Sequence, residues 1–139
     1  MIKAIIIDDE SRARDLLLKL LEQEFSDRVK VLDSIGDIPA AIKAIKTLQP
    51  DVVFLDIQMR EGSGFDILKQ INNIDFEVVF VTAHNEYAIK AIEFSALGYI
   101  MKPLRVNELK TAINKLETHL SRLKNGANNR IKILIENYQ

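Results

Sequence analysis

Short apolar runs alternate along this chain with longer amphipathic segments, and most runs end at polar residues. The clearest run is residues 52–55, four apolar side chains between Asp51 and Asp56. It is too short for a helix and has no polar position that would face water, so it predicts a strand buried on both faces of a parallel sheet. The same pattern predicts further strands at residues 2–7, 29–32, 76–81 and 97–101.

Between these strands, apolar residues recur every three or four positions, which predicts amphipathic helices covering the sheet. One begins at Ser11, and a second begins beside Pro39, because proline is tolerated in a first helical turn. Further helices are predicted at residues 65–71, at residues 86–95 and from Val106. Strands and helices that alternate at this spacing indicate right-handed crossovers and a doubly wound, five-stranded parallel α/β sheet.

Composition narrows the class of protein. A chain of 139 residues suits one domain, and a net charge of −1 leaves no basic face for direct contact with nucleic acid. The absence of cysteine excludes disulfides and thiolate metal sites. No apolar run approaches the ~18 residues of a membrane span, and the first run is too short for a signal peptide. We therefore expect a soluble cytoplasmic domain with no membrane partner.

Four of the predicted strands end at a polar side chain of defined type. Asp8 and Asp9 follow the first strand, Asp56 the third, Thr82 the fourth and Lys102 the fifth. Taken singly, each has an ordinary explanation as a solvated turn, a helix cap or a surface lysine. Because parallel strands end at the same edge of a sheet, all of them together predict one pocket.

Three carboxylates in one pocket repel each other, by about 3 kcal/mol per pair at ~5 Å and an effective dielectric near 20. The Lys102 ammonium and a divalent cation would balance them. Oxygen ligands with positions left for water favour Mg²⁺. If Asp56 accepts a phosphoryl group there, catalysis is mostly positioning and electrostatics, and the Thr82 hydroxyl can donate to the phosphoryl oxygens.

With these residues, the chain up to about residue 124 resembles the receiver domain of two-component response regulators, whose fold is the flavodoxin-like (βα)5 sheet. The resemblance implies that a sensor histidine kinase phosphorylates Asp56, and that the chain is otherwise no enzyme beyond slow autodephosphorylation. It also implies four sets of residues: Mg²⁺ ligands at Asp8, Asp9, Asp56 and the Gln58 backbone carbonyl; phosphoryl-stabilising Thr82 and Lys102; a switch pair of Thr82 and Tyr99; and a cis peptide at Lys102-Pro103.

Two stretches, residues 81–91 and 96–104, are similar to receivers that are attached to LytTR-type DNA-binding domains. The resemblance therefore implies an output domain through which DNA is bound. One departure is Arg60, because receivers commonly have proline there, and we expect it to loosen the loop and affect phosphoryl lifetime. Gln58 and His84 each lie two residues beyond a pocket residue, so we hypothesise that they screen the attacking water, although His84 also fits an ordinary polar loop position.

The end of the chain predicts two further features. Leu116, Leu120 and Leu123 continue a heptad seam that would project beyond the sheet as a dimer contact or coiled-coil linker, or else fold back on the domain. Residues 124–129 are typical of a linker, and residues 130–136 of one strand. We therefore divide the chain into a receiver at 1–124 and, at 125–139, a linker with the possible first strand of a missing or truncated LytTR-type output domain.

Three alternative functions make different demands on these residues. An aspartate-nucleophile phosphatase of the haloacid dehalogenase type needs a second acid where Gln58 stands. A flavodoxin-like nucleotide or flavin binder would need glycines where Asp8-Asp9-Glu10 would repel phosphate. A pseudo-receiver, acting as an interaction or dimerisation module without phosphorylation, stays open. Tyr99 can equally be a half-buried aromatic residue that never moves.

Overall fold

A five-stranded parallel sheet forms the centre of the molecule. The computed structural model describes the backbone of residues 1–137 and the side chains of residues 1–126. The strands are β1 (Ile2–Ile7), β2 (Val29–Ile35), β3 (Val52–Leu55), β4 (Gln58–Met59), β5 (Gly62–Ser63), β6 (Glu77–Thr82) and β7 (Gly98–Met101). The main sheet has the order β2-β1-β3-β6-β7, and β4 and β5 form a separate antiparallel hairpin.

Helices cover both faces of this sheet, so the predicted doubly wound α/β fold is confirmed. They are α1 (Ser11–Glu24), α2 (Ile38–Leu48), α3 (Gly64–Lys69), α4 (Ala88–Glu93) and α5 (Val106–Asn137). One apolar cluster joins the sheet to α2, α3 and α4, and the other joins it to α1 and α5. Among the described residues, no helix combines the length and the apolar character that crossing a bilayer requires.

The β3 strand lies at the centre of both apolar clusters. Val53 and Leu55 belong to the cluster under α2, α3 and α4, whereas Val52 and Phe54 belong to the cluster under α1 and α5. All four side chains are buried. This is why the strand has no polar position, since side chains alternate between faces and helices cover both.

The order of the strands determines where a ligand site can form. The chain winds outward from β1 in both directions, to β2 on one side and to β3, β6 and β7 on the other. The carboxyl ends of β1 and β3 therefore flank the switch point where open α/β sheets bind ligands. Ile7 pairs with Leu55, so Asp8 and Asp56 follow neighbouring positions of adjacent strands.

The β4–β5 hairpin was not predicted, and it shapes the loop after Asp56. Gln58 pairs with Ser63 and Met59 with Gly62. Gly62 has a φ of 156°, a backbone conformation that side chains rarely adopt, so glycine is required at this turn. The hairpin gives the residues after Asp56 a fixed path across the carboxyl edge of the sheet.

The predicted linker and strand near the end of the chain are wrong as secondary structure. Helix α5 continues without interruption from Val106 to Asn137, through residues 124–129 and 130–136. A helix satisfies its backbone hydrogen bonds within the segment, whereas a strand depends on a neighbouring strand. The single Gly126 costs such a helix only about 1 kcal/mol. Residues 138 and 139 of the predicted tail lie outside the described residues.

The leucine seam on α5 does not project as predicted. Leu116 is fully buried in the core and Leu120 packs against it, and only Leu123 is largely exposed, at 56%. The domain covers more of α5 than the strands alone would, because the turn before β2 also contacts this helix. Arg28 of that turn donates hydrogen bonds to Asn114 and Glu117. The alternative in which this helix folds back on its own domain is therefore correct as far as Leu120.

Candidate functional site at the carboxyl edge of the sheet

Three carboxylates meet at the carboxyl edge of the sheet, as the sequence predicts. One oxygen each of Asp8, Asp9 and Asp56 lies within 4.8 Å of the others. Asp8 and Asp56 are buried, at 5% and 6% exposure, and Asp9 is partly buried. Buried carboxylates are rare without compensating charge or hydrogen bonds, so this cluster requires cations.

Backbone N–H groups hold each carboxylate in place. The Glu10 N–H donates to Asp8 Oδ1 at 2.9 Å, and the Ile57 N–H donates to Asp56 Oδ1 at 2.7 Å. The N–H of Arg60 donates to Asp9 Oδ2 at 2.8 Å. Asp8 and Asp56 are held by the loops that follow their own strands, and Asp9 is held by the β4–β5 hairpin. The cluster is positioned by the local backbone in advance of any ligand.

The bond from Arg60 changes the interpretation of that position. We expected arginine to loosen the loop in comparison with proline. The structure shows instead that the Arg60 N–H ties the hairpin to Asp9, and proline has no N–H with which to make this bond. The arginine side chain itself is exposed, with Nε 3.9 Å from Asp9 Oδ2. Residue 60 therefore contacts the site mainly through its backbone N–H, and its charged side chain is the weaker contact.

Lys102 bridges two of the three acids. Its Nζ lies 2.7 Å from Asp8 Oδ2 and 3.0 Å from Asp56 Oδ2. Burial alone would lower the pKa of Lys102, but the two carboxylates outweigh it, and the pKa lies above its ordinary value. The lysine is therefore a permanent cation that neutralises one of the three negative charges.

The remaining charge suits a divalent cation. Burial raises the pKa of Asp8, and its hydrogen bonds with Lys102 and Glu10 offset this only in part, while the Asp56 charge raises it further. A raised pKa means that the pocket holds more negative charge than Lys102 and the N–H groups stabilise. Three carboxylates with two uncompensated charges are a donor set that fits Mg²⁺. The role of the Gln58 carbonyl as a further ligand stays a prediction.

Thr82 is placed beside this cluster by β6, the strand next to β3. Its side chain is fully buried, and its hydroxyl accepts a hydrogen bond from the His84 N–H at 3.3 Å. The Lys102 N–H donates to the Thr82 carbonyl at 2.8 Å, so the ends of the neighbouring strands β6 and β7 are joined through the backbone. The peptide bond Lys102-Pro103 is cis, the geometry that the resemblance implies.

Tyr99 contacts the same loop that holds Thr82. Its hydroxyl donates to the His84 carbonyl oxygen, and its ring packs against Phe80 with centroids 6.2 Å apart. Burial raises the pKa of Tyr99, and the nearby charge of Glu86 adds to this, so the phenol remains protonated and able to donate. The tyrosine therefore links β7 to the segment between β6 and α4.

Sequence reasoning missed two residues that help to shape the site. Arg14 Nη1 donates to the Asp8 carbonyl at 2.7 Å, and its guanidinium covers Gly36, where a Cβ would come within 2.6 Å of Nη1. Tyr87 accepts a hydrogen bond from Gln58 Nε2 at 2.9 Å. The only signal for Arg14 was its position in the helix after the acids. Tyr87 had none, because its contact joins segments 29 residues apart.

Comparison with known proteins agrees with this geometry. The family described as "Response regulator receiver domain" matches residues 4–114. The transcriptional regulatory protein BtsR of Salmonella typhi is 39% identical over 126 residues, which cover 88% of this chain and 51% of that protein. The sensory transduction protein LytT of Bacillus cereus is 36% identical over 118 residues, which cover 83% of this chain and 47% of that protein.

A solved structure extends the comparison to the fold. The response regulator protein TrrA from Thermotoga maritima, in complex with Mg²⁺-BeF, matches with a TM-score of 0.72 and 28% identity over 84% of this chain and 99% of that one. The chain spans about half the length of the curated relatives it matches. Both the family match over most of the chain and the cluster of acids with Lys102 lead to one conclusion: the chain belongs to the receiver domains of two-component response regulators.

Proposed function

We propose that this chain is a phosphorylation-controlled switch, in which Asp56 accepts a phosphoryl group from a sensor histidine kinase. The observation that carries the proposal is Lys102, whose Nζ contacts both Asp8 and Asp56 at the edge where the three acids meet. A surface lysine or an isolated acidic turn would not produce this arrangement. In the proposed reaction, one Asp56 oxygen attacks phosphorus, the bond from phosphorus to the kinase histidine nitrogen breaks, and that nitrogen keeps the electron pair.

The residues of the pocket have distinct tasks in this reaction. The Ile57 N–H holds the Asp56 carboxylate in one orientation, and Lys102 neutralises charge that grows on the phosphoryl oxygens. Asp8, Asp9, Asp56 and the Gln58 carbonyl would hold Mg²⁺, which when bound supplies two further positive charges at the phosphoryl oxygens. The Thr82 hydroxyl would donate to the same oxygens.

The proposed switch begins at Thr82. Its hydroxyl accepts from the His84 N–H, which leaves its own O–H to donate, and we propose that it moves toward Asp56 when a phosphoryl oxygen is there to accept. Tyr99 is bonded to the His84 carbonyl, so the loop and the tyrosine are proposed to move together. A new dianion with strong acceptor oxygens is the driving interaction. The surface that changes is formed by α4, β7 and the start of α5, and it exposes Ile89 and Ile92.

The receiver is proposed to control an attached output domain of the LytTR type, through which DNA is bound. Two relatives, named a transcriptional regulatory protein and LytT, are each about twice the length matched here. In this proposal the receiver occupies residues 1–124 and residues 125–139 lead into the output domain. Leu123 is the seam leucine that lies exposed on α5, so it is the proposed point of contact with a second copy or with the output domain.

Phosphorylation with a small donor tests the central proposal. The chain is incubated with acetyl phosphate and Mg²⁺, and its intact mass is measured. We expect a gain of one phosphoryl group that an Asp56→Asn variant abolishes. Asp75→Asn is the matched control, because Asp75 is an exposed acid on the loop before β6. No gain with the wild-type chain would contradict the proposal and support the pseudo-receiver alternative.

A further inference from the structure

One hydrogen bond joins the segments that leave the two strands at the centre of the site. Gln58, two residues after Asp56, donates from Nε2 to the hydroxyl oxygen of Tyr87 at 2.9 Å. Tyr87 lies five residues after Thr82, immediately before α4. Since β3 and β6 are neighbours, this bond crosses the carboxyl edge between the strand ends that carry Asp56 and Thr82. We call it the Gln58–Tyr87 bridge.

Tyr87 is the fixed end of this bridge. Its ring packs on Phe65, with centroids 6.2 Å apart, and Phe65 is buried and packs in turn on Phe80. Gln58, in contrast, is exposed, and its side chain has many rotamers when nothing holds it. The bridge therefore fixes the Gln58 carboxamide to a partly buried ring that packs against the hydrophobic core.

The same tyrosine also touches the second side chain that flanks the site. The His84 ring meets the Tyr87 ring edge-on, with centroids 6.2 Å apart and an interplanar angle of 76°. His84 Nδ1 lies 3.3 Å from Glu86 Oε1, so it is held from its other side as well. Tyr87 thus contacts both Gln58, which is two residues after Asp56, and His84, which is two residues after Thr82.

We propose that Tyr87 is a positioning residue that prolongs the life of phosphorylated Asp56 by holding Gln58 across the approach of water. This inference rests on the proposed function. In hydrolysis, a water oxygen attacks phosphorus opposite the bond to Asp56. That bond breaks, Asp56 keeps the electron pair as a carboxylate, the water releases a proton to solvent, and inorganic phosphate leaves. A carboxamide anchored by the bridge occupies the solvent side of this path, whereas a released one leaves the path open.

The test measures phosphoryl decay in Tyr87→Phe, which removes the hydroxyl and keeps the ring on Phe65. The protein is phosphorylated with acetyl phosphate and Mg²⁺, the donor is removed, and the phosphorylated fraction is followed by intact mass. We expect decay about fivefold faster than in the wild-type chain, the factor given by one hydrogen bond of ordinary net strength. Thr111→Val is the matched control, because it removes an exposed α5 hydroxyl that bonds only the Asn107 carbonyl of its own helix.

The same substitution in a Gln58→Leu variant shows whether Tyr87 acts by positioning Gln58 or by stabilising the fold in general. Gln58→Leu removes the donor of the bridge, so adding Tyr87→Phe to it should change the decay rate less than about twofold. The inference is overturned if Tyr87→Phe decays at the wild-type rate or more slowly, or if it accelerates decay equally in both backgrounds. A wild-type chain that takes up no phosphoryl group would overturn the proposed function itself, and this inference with it.

Discussion

Two helices on opposite sides of the sheet, α5 and α4, differ in how much apolar surface they bury. On one side, α5 buries Leu109, Ile113 and Leu116 completely, and Arg28 ties it to the turn before β2. On the other side, α4 has six residues, no side-chain cap, and one buried residue, Ala91. Regions with few buried apolar contacts open at low free-energy cost, and those with many open only with the whole domain. The acidic cluster therefore belongs to a domain in which α5 is anchored and α4 can rearrange.

This difference suits the proposed switch. The groups that must stay in place for phosphoryl transfer are held by backbone N–H groups and by Lys102. The groups proposed to respond, Thr82 and Tyr99, are bonded to the loop that leads into α4. A fixed site next to a weakly packed element allows a local change in charge to move one surface without disturbing the rest.

The largest effect that would test the comparison is on stability. Leu116→Ala removes a fully buried side chain from the anchored helix α5, and we expect the free energy of unfolding to fall by about 2–5 kcal/mol. Ile92→Ala, on α4 at 74% exposure, should change it by less than about 0.5 kcal/mol. Urea denaturation measures both. Equal losses would show that α5 and α4 are packed alike.

A smaller effect is expected from the metal. Mg²⁺ at about one hundred times its dissociation constant should raise the free energy of unfolding by about 2.7 kcal/mol, since it binds the folded cluster. Asp9→Asn should abolish most of this gain, and a chelator should reverse it. Hydrogen exchange should slow at the loops after β1 and β3 and change little in α4. The prediction is contradicted if Mg²⁺ raises the free energy of unfolding equally in Asp9→Asn and wild type, or if hydrogen exchange slows uniformly along the chain.

The smallest effect concerns the ionisation of Asp8, a carboxyl of the cluster that stays fixed while α4 rearranges. Burial raises the pKa of Asp8 above its ordinary value, so ionisation favours the unfolded chain. This penalty is complete above the raised pKa and disappears as the pH falls below 3.8. Without metal, Asp8→Asn should therefore raise the free energy of unfolding at pH 7, by less than Leu116→Ala lowers it, because solvent screens this partly buried group.

The pH dependence of that variant provides its control. The difference in free energy of unfolding between Asp8→Asn and wild type, measured by urea denaturation, should shrink toward zero as the pH is lowered below 3.8. Mg²⁺ should reverse the order of the two proteins at pH 7, because the metal stabilises only the ionised aspartate. A variant that is less stable than wild type at pH 7 without metal would show that the Asp8–Lys102 pair stabilises the fold on balance.

Much of the architecture follows from local pattern alone. An apolar run such as residues 52–55 specifies a strand covered on both faces, and spacing of three and four specifies the helices between strands. Parallel topology then requires that residues after different strands meet at one edge. This is why Asp8, Asp9, Asp56 and Lys102 could be placed together from the chain.

Other features depend on how distant segments lie against each other. The continuation of α5 to Asn137, the bond from Arg60 to Asp9 and the Gln58–Tyr87 bridge were all missed, and only the structure decides that Leu116 is buried and does not project. The bonds to Asp9 and Tyr87 join residues 51 and 29 positions apart, across a hairpin that periodicity does not predict. Repeating patterns of apolar residues thus determine the elements and the edge at which the acids meet. Only the tertiary structure decides how each side chain is held there, because those contacts depend on loop paths and not on local pattern.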